Sequence, residues 1–357
     1  MDTPLKDLVE RVQWAAATGT PLRIRGGGSK DFYGQSLQGE LLDTRSLRGI
    51  VSYEPSELVV TVRAGTSLAE VEAALAEKGQ YLPFEPPHFA AGGAQATVGG
   101  MVAAGLNGPA RASVGAVRDY VLGAQLLNGR AELLTYGGQV MKNVAGYDVS
   151  RLLAGSLGSL GLIVAVSLKV LPRAVAEATL VFELDEARAL QQLNAWGSQP
   201  LPLNASCWHQ GALMVRLRGA AAAIAAAKKT MGGQVMDDGA AAQLWTALRE
   251  QTAAFFVLEE GEALMRLSVP DTTPPLNLGP TLIEWHGAQR LLKLPLAAAQ
   301  QAVPAGVPGH ATLFRGGDKS AGVFTPLPAP LDRITRELKK QFDPAGICNR
   351  GRLYPDF

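Results

Sequence analysis

The chain has 357 residues, 47% hydrophobic and 18% charged, with a net charge of +1 at pH 7. That describes a soluble globular protein long enough for two domains, with no charge excess to favour nucleic acid or another polyanion as partner. The two cysteines, Cys207 and Cys348, make no paired motif and the four histidines, His88, His209, His286 and His310, no helical metal pair. An iron–sulfur cluster, a disulfide framework and a resident metal are therefore not expected in this chain. No apolar run is long enough for a bilayer span and no charged-then-apolar leader opens the sequence, which points to the cytoplasm.

In chain order, Leu5, Leu8, Val9, Val12 and Ala16 recur at helical spacing and Gly19 suits the end of that helix. A strand at Leu22–Arg25 delivers the chain into "GGGSK", and "ELLDT", "GIVSYEP" and "ELVVTVRAG" are further strand candidates. The segment "SLAEVEAALAEKG" is a helix in which Ser67 and Glu70 are expected to form a capping box. Between Pro83 and Gly115 lie many glycines, prolines and alanines and few charges, a texture that suits backbone lying close to something flat or bulky. Strands resume at "DYVLGAQLLNG" and "AELLTYGG", with a turn at Asn128-Gly129, and "LIVAVSLKVLP" closes at Pro172. Beyond it, strand–helix–strand units predict a second α+β domain. Among them is one continuous helix over "AAQLWTALREQTAAFF", and "TLIEWHGAQRLLKLP" reads as a hairpin turning near His286-Gly287. The expected division is 1–172, 173–335 and a docked tail, 336–357.

Three glycines in succession at Gly26, Gly27 and Gly28 have two readings, a plain turn after a strand or a nest of amides around a phosphate. Neither GxxxxGK[ST] nor GxGxxG fits them. Two more amide-rich segments, Gly92–Gly108 and Gly155–Gly161, follow at a distance. Three such loops in order suit an extended ligand with two phosphates and flat rings.

The runs "RIRGGGSK", "TVGGMVAAGLNGP", "VGAVRDYVLGAQLL", "KNVAGYDVSRLLAGSLGSLGLI" and "FDPAGICNRGRLY" resemble the FAD-binding fold of the vanillyl-alcohol oxidase/p-cresol methylhydroxylase (PCMH) type. Within it they resemble the glycolate oxidase and D-lactate dehydrogenase branch, and most nearly the FAD-binding subunits of bacterial glycolate oxidases. The resemblance implies an α+β flavoprotein: a PCMH-type FAD-binding domain of two α/β subdomains, a smaller α+β cap, and a tail returning to the first domain. It also implies a larger catalytic flavin subunit and an iron–sulfur subunit as partners, a small 2-hydroxy acid as substrate, and membrane attachment only peripherally, through partners. Carried onto this sequence, Arg25, Gly26, Gly27, Gly28 and Ser29 would meet the FAD pyrophosphate, with Lys30 either adding charge or remaining a solvated surface lysine. Thr97, Gly99 and Gly100 would form a second wall continued by Gly105, Asn107 and Gly108. Gly155, Gly158, Gly161 and Ile163 would approach the adenine side, and Asn349 and Arg352 the isoalloxazine, with surface exposure the alternative for Arg352. Arg118 and Asp119 read better as a structural ion pair. Where relatives that tether flavin carry a histidine after the first glycines, Ser29 stands here, so the resemblance implies noncovalent FAD.

Two departures bear on chemistry. Catalytic members of the branch carry a cap motif like "HAGDGN"; "GHATLFRGG" leaves His310 without neighbouring carboxylates, and Leu157 stands where many relatives have an acid. Oxidising a 2-hydroxy acid calls for a base and for cations on the carboxylate. The weak candidates are His310 and Arg315, with His286, Arg266 and Arg290 behind them. Substrate oxidation or electron relay, a non-catalytic assembly subunit with a vestigial flavin cleft, and a D-lactate-type dehydrogenase stay open at this point.

Overall fold

The computed structural model describes residues 2–90, 92–138, 148–299 and 306–357. Of the motifs above, "KNVAGYD" lies outside the described residues except for Asp148. Helix α1 (Thr3–Thr18) starts where the Asp2 carboxylate accepts the Leu5 N–H and stops at Gly19, whose φ of 69° few other residues would adopt. Its face of Leu5, Leu8, Val12 and Ala15 packs with Leu22, Leu42 and Ile347 over a parallel pair, β1 (Leu22–Arg25) and β2 (Glu40–Asp43). In chain order follow β3 (Ile50–Glu54), β4 (Val59–Arg63), α2 (Leu68–Glu77), the short β5 (Gln80–Tyr81), α3 (Val98–Ala104), the single turn α4 (Arg111–Val114), β6 (Val121–Leu127), β7 (Leu133–Gly137) and β8 (Leu162–Lys169). The longer strands form an antiparallel sheet, β3-β4-β8-β6-β7. The core under that sheet takes Leu68, Val71 and Leu75 of α2 and Val98, Met101 and Val102 of α3. Burying α3 in this way fixes one wall of the cleft described below.

The second half runs through β9 (Leu171–Pro172), which pairs with β5, then β10 (Ala176–Glu183), α5 (Glu186–Gly197), β11 (Leu203–His209), β12 (Ala212–Gly219), α6 (Ala221–Met231), β13 (Gln234–Val235) and α7 (Asp238–Glu250). It continues with β14 (Glu262–Ser268), β15 (Thr281–Glu284), β16 (Gln289–Pro295), α8 (Leu296–Ala299) and β17 (His310–Arg315). These strands make one antiparallel sheet, β13-β10-β12-β11-β15-β16-β14-β17. Helix α9 (Ala329–Phe342) passes through residue 335 and carries the chain back to the first domain.

Two local expectations fail for identifiable reasons. Ser67 is the N-cap of α2, but its side chain makes no capping bond, so the Ser67–Glu70 box does not close. The helix expected to reach Phe256 stops at Glu250, because Gln251 takes a left-handed backbone (φ 52°) and a separate 3₁₀ turn holds Phe255 and Phe256. The hairpin at His286-Gly287 is present, as a 3₁₀ turn between β15 and β16.

A buried polar node fastens α9 and the tail. The Lys339 ammonium donates to Asp343 Oδ2 (2.6 Å), to the Ser159 carbonyl (2.7 Å) and to the Cys348 carbonyl (2.9 Å). Asp343 in turn accepts the Ile347 and Cys348 N–H groups. Asp343→Ala leaves the ammonium buried and unpaired, so we expect a loss of ~3–5 kcal/mol in urea unfolding; a loss under 1 kcal/mol would show that the node contributes little.

Candidate functional site

The first loop leaves β1 at Arg25. Its turn needs Gly28 at φ 79°, over which the Arg25 guanidinium folds to pair with Asp31 at 2.6 Å. Among the described residues no acceptor takes up the backbone N–H groups of Gly26, Gly27, Gly28 or Ser29. Four successive amides left unspent suit an anion, since polar backbone groups near the interior otherwise find partners. The facing wall comes from the second loop. The Gln95 carbonyl lies against Gly27 and the Thr97 hydroxyl against Gly26, so a Cβ at either glycine would strike the wall. Thr97 caps α3 by accepting the Gly100 N–H at 3.3 Å, and Gly100, Ala103 and Ala104 line the cleft from one helix face. Leu157, Asn349 and Arg352 close it.

The expected cofactor residues divide accordingly. Arg25, Gly26, Gly27, Gly28, Ser29, Lys30, Thr97, Gly100, Asn349 and Arg352 line one cleft. Gly99, Gly105, Asn107, Gly108, Gly155, Gly158, Gly161 and Ile163 lie outside it, and for most of them the structure gives a packing reason. Gly99 abuts Ala64, Gly105 abuts Gly155, Gly108 abuts Glu85 and Gly161 abuts the Leu127 carbonyl. Ile163 is a β8 core residue, and Asn107 braces its own loop through Gly105 and Val117. Gly158 leaves room for the Asn349 amide.

Asn349 joins the pieces. Its Oδ1 accepts the Ile24 N–H at 2.7 Å, and its Nδ2 donates to the Leu157 carbonyl at 2.6 Å and the Ile24 carbonyl at 3.3 Å. Arg352 is buried, not on the surface, and donates to the carbonyls of Gln35, Lys30 and Asp31. Burial lowers its pKa to about 10. Lys30 is not a free surface lysine either. It donates to the His88 carbonyl (3.3 Å) and Ser29 Oγ (3.2 Å), and burial pushes its pKa down to about 8 against the opposing charge of Glu250. Arg118 and Asp119 are an exposed pair at 3.9 Å.

The cleft's cavity volume is about 80 Å³, enough for a diphosphate-sized group and well short of the ~300–1,000 Å³ of small-molecule pockets. Ser29 also lines a larger cavity of about 560 Å³ between the domains, with Phe32, His88, Phe89, Glu250 and Arg315. Sequence reasoning missed the ties that shape this interface. The Glu250 carboxylate accepts the His88 and Phe89 N–H groups at 3.0 and 2.9 Å, Lys319 donates to the Phe32 and Gly34 carbonyls, and Arg216 grips Glu85 with two bonds. Gln95 was missed as well; only the density of small residues around it hinted at close backbone contact.

The candidate catalytic side chains separate sharply. Arg315 packs over Phe32 and Phe89, and Arg266 over Tyr33 and Phe314 with a bond to the Tyr33 hydroxyl. Neither has a carboxylate partner among the described residues. Arg290 is spent inside the cap on the Gly287 and Thr273 carbonyls and Glu186. His286 bridges Ser113 and Ser206 at 2.9 and 3.1 Å, a link between domains, and burial holds its pKa below the usual value. His310 is exposed on β17, and partial burial followed by the charges of Arg266 and Arg111 lowers its pKa. No group of three metal-binding side chains is assembled among the described residues, and none of their helices is long and apolar enough to cross a membrane.

Residues 3–137 match the model of an FAD-binding domain. The chain is 46% identical over 351 residues to glycolate oxidase subunit GlcE of Escherichia coli K12, covering 98% of this chain and 97% of that one. It belongs to the GlcE family of glycolate oxidase subunits. More distantly, glycolate oxidase subunit GlcD of Bacillus subtilis is 28% identical over 45% of this chain and 34% of its own length. The solved structure of an alkyldihydroxyacetonephosphate synthase superposes with a TM-score of 0.65 at 14% identity, covering 97% of this chain and 75% of that one. The GlcE-family fold is thus α+β and PCMH-type, and the unspent amides of its first loop fit an FAD diphosphate.

Because burial sets Lys30 at about 8 in the free chain, its ammonium is lost as pH rises through that value, and an anion then binds only with proton uptake. FAD affinity of the apoprotein, followed by flavin fluorescence, is expected to fall ~tenfold per unit above pH 8; Lys30→Gln should flatten the slope. A wild-type slope that matches the variant's would remove Lys30 from the phosphate site.

Proposed function

We propose that this chain is the FAD-binding subunit of a glycolate oxidase complex and oxidises a small 2-hydroxy acid, glycolate to glyoxylate, in the cavity between its domains. When bound, FAD accepts the hydride and carries the redox chemistry. The chain's own residues do the rest. The Gly26–Ser29 amides hold the diphosphate with Lys30, and Asn349 and Arg352 keep that loop in place. Ser29 stands where tethered relatives have histidine, so the cofactor is held noncovalently. Arg315, which lines the cavity between the domains, binds the substrate carboxylate. The observation that carries the reading is Arg315, which lines that cavity, stacks on Phe32 and Phe89 and has no carboxylate partner among the described residues, where the first loop meets the cap. A chain whose guanidinium groups are already oriented loses little side-chain entropy on binding an acid anion. Electrons pass onward to a larger flavin subunit and an iron–sulfur subunit, and the division 1–172, 173–335 and 336–357 serves as FAD-binding domain, cap and docking tail. A second reading, an assembly subunit, draws on the narrowness of the 80 Å³ cleft.

Three measurements test these readings. Gly27→Glu sets bulk and negative charge against the diphosphate and is expected to abolish flavin retention. The wild-type chain should show a flavin absorption band that glycolate bleaches and that is freed by acid denaturation; no band favours the assembly subunit. Arg315→Met should keep flavin while raising the glycolate concentration for half-maximal bleaching by ~10–100-fold, the loss of one charged hydrogen bond. An unchanged concentration dependence would place the carboxylate elsewhere.

A further inference from the structure

The larger interface cavity also holds an acid–base pair. Glu72, on α2, and His88, on the segment between β5 and α3, both line it together with Arg315. Glu72 Oε2 lies 2.9 Å from His88 Nε2, and the two side chains are 29% and 18% exposed. As a tie between α2 and the loop, such a partly exposed pair adds little stability. An ionised carboxylate only accepts, so in the neutral ring Nε2 carries the hydrogen and Nδ1 keeps its lone pair. Among the described residues nothing bonds to Nδ1; the bonds of His88 run through Nε2 and its backbone. That backbone is clamped from both domains. Lys30 of the first loop donates to the His88 carbonyl, and Glu250 of α7 accepts the His88 and Phe89 N–H groups. The Arg315 guanidinium sits 5.2 Å from the centre of the Phe89 ring, next in the chain to His88.

We propose that His88 is the catalytic base for hydroxy-acid oxidation, its Nδ1 taking the hydroxyl proton of a substrate whose carboxylate Arg315 holds, and that Glu72 is the positioning residue that fixes the ring and its tautomer. This rests on the reading that the chain itself oxidises substrate. As the substrate O–H bond breaks, its proton passes to Nδ1, and the electron pair of that bond stays on oxygen to complete the carbonyl. The α-carbon C–H bond breaks with its electron pair, which leaves as hydride to the FAD oxidant, and the product is the 2-oxo acid. The imidazolium formed at His88 lies against the Glu72 carboxylate, which stabilises it as it develops. A 2-hydroxy acid carries its carboxylate and hydroxyl on adjacent carbons, so base and cation must stand close together on one wall. His88 and the arginine stacked on Phe89 meet that demand. Nothing local marks His88 in the sequence, because its partner lies 16 residues upstream on a helix.

The test uses the full chain loaded with FAD, without oxygen, mixed with glycolate while flavin absorbance is followed. At saturating glycolate His88→Gln should bleach ~10²–10⁴-fold more slowly, with normal flavin content and an unchanged glycolate concentration for half-maximal rate. Glu72→Gln should slow bleaching less, ~10–100-fold, because the base itself remains, and Glu72→Asp should recover most of the rate. Added imidazole should speed His88→Gly and leave the wild type unchanged. Nitrogen NMR of the histidine rings supplies a readout without turnover. The probes are 2-hydroxyisobutyrate, which has no α-hydrogen to give up, and isobutyrate, which also lacks the hydroxyl. The hydroxy acid should shift the wild-type His88 Nδ1 signal and isobutyrate should not, a result that holds even if His88→Gln loses flavin. Resting His88 signals that are the same in Glu72→Gln as in the wild type overturn the positioning role of Glu72. Wild-type bleaching rates in His88→Gln, or an Nδ1 signal that treats both acids alike, overturn the role of His88 while the oxidation reading stands. Wild-type flavin that glycolate never bleaches overturns the oxidation reading and this role with it.

Discussion

The arrangement depends on one side-chain amide. Asn349 bonds both backbone groups of Ile24 and the Leu157 carbonyl, holding the start of the first glycine loop, the turn of the third and the tail at one point. Without such a brace, four amides with no acceptor among the described residues would be a liability, free to seek water or collapse onto Gln95. With it the loop lines one cleft with Thr97, Gly100 and Arg352. Arg352 extends the brace along the loop through three carbonyls, and the Lys339–Asp343 node anchors the segment that carries both residues. The shape of the first loop therefore rests on the tail.

The glycine-rich loops, the strands of the first sheet and the return of the tail were legible from sequence because each has a local signature. Positive-φ glycines, alternating strands and Asp-Pro or Asn-Gly breaks are written into neighbouring residues. Burial of single charges was not legible. Lys30 and Arg352 read equally well as surface cations, and only contacts with His88 and Gln35 from distant segments decide otherwise. Gly99, Gly161 and Ile163 stand in family motifs, and Ala64, Leu127 and the β8 core give each of them a packing role that the motifs alone do not reveal. Ser67 has the sequence of a capping box without its bond, a reminder that a pattern offers a partner without compelling it to bond.

Glu284 shows the same limit from the other side. In "TLIEWHG" it looks like an ordinary strand acid, and its burial arises from β11 and β16, which flank it in the sheet. The interface works likewise. Tyr33, Leu106 and Leu157 from the first domain share a core with Leu264, Trp245 and Phe314 from the cap, so apolar burial holds the two together. Glu85, Glu250 and Lys319 then set the register by gripping backbone and arginine across the seam.

The bond between Ile24 and Asn349 joins residues 325 positions apart. A nascent chain therefore presents its first glycines long before the side chain that clasps them has been made. Until then the first loop lacks the three bonds that tie it to the turn of the third, so its final shape waits on a residue made much later.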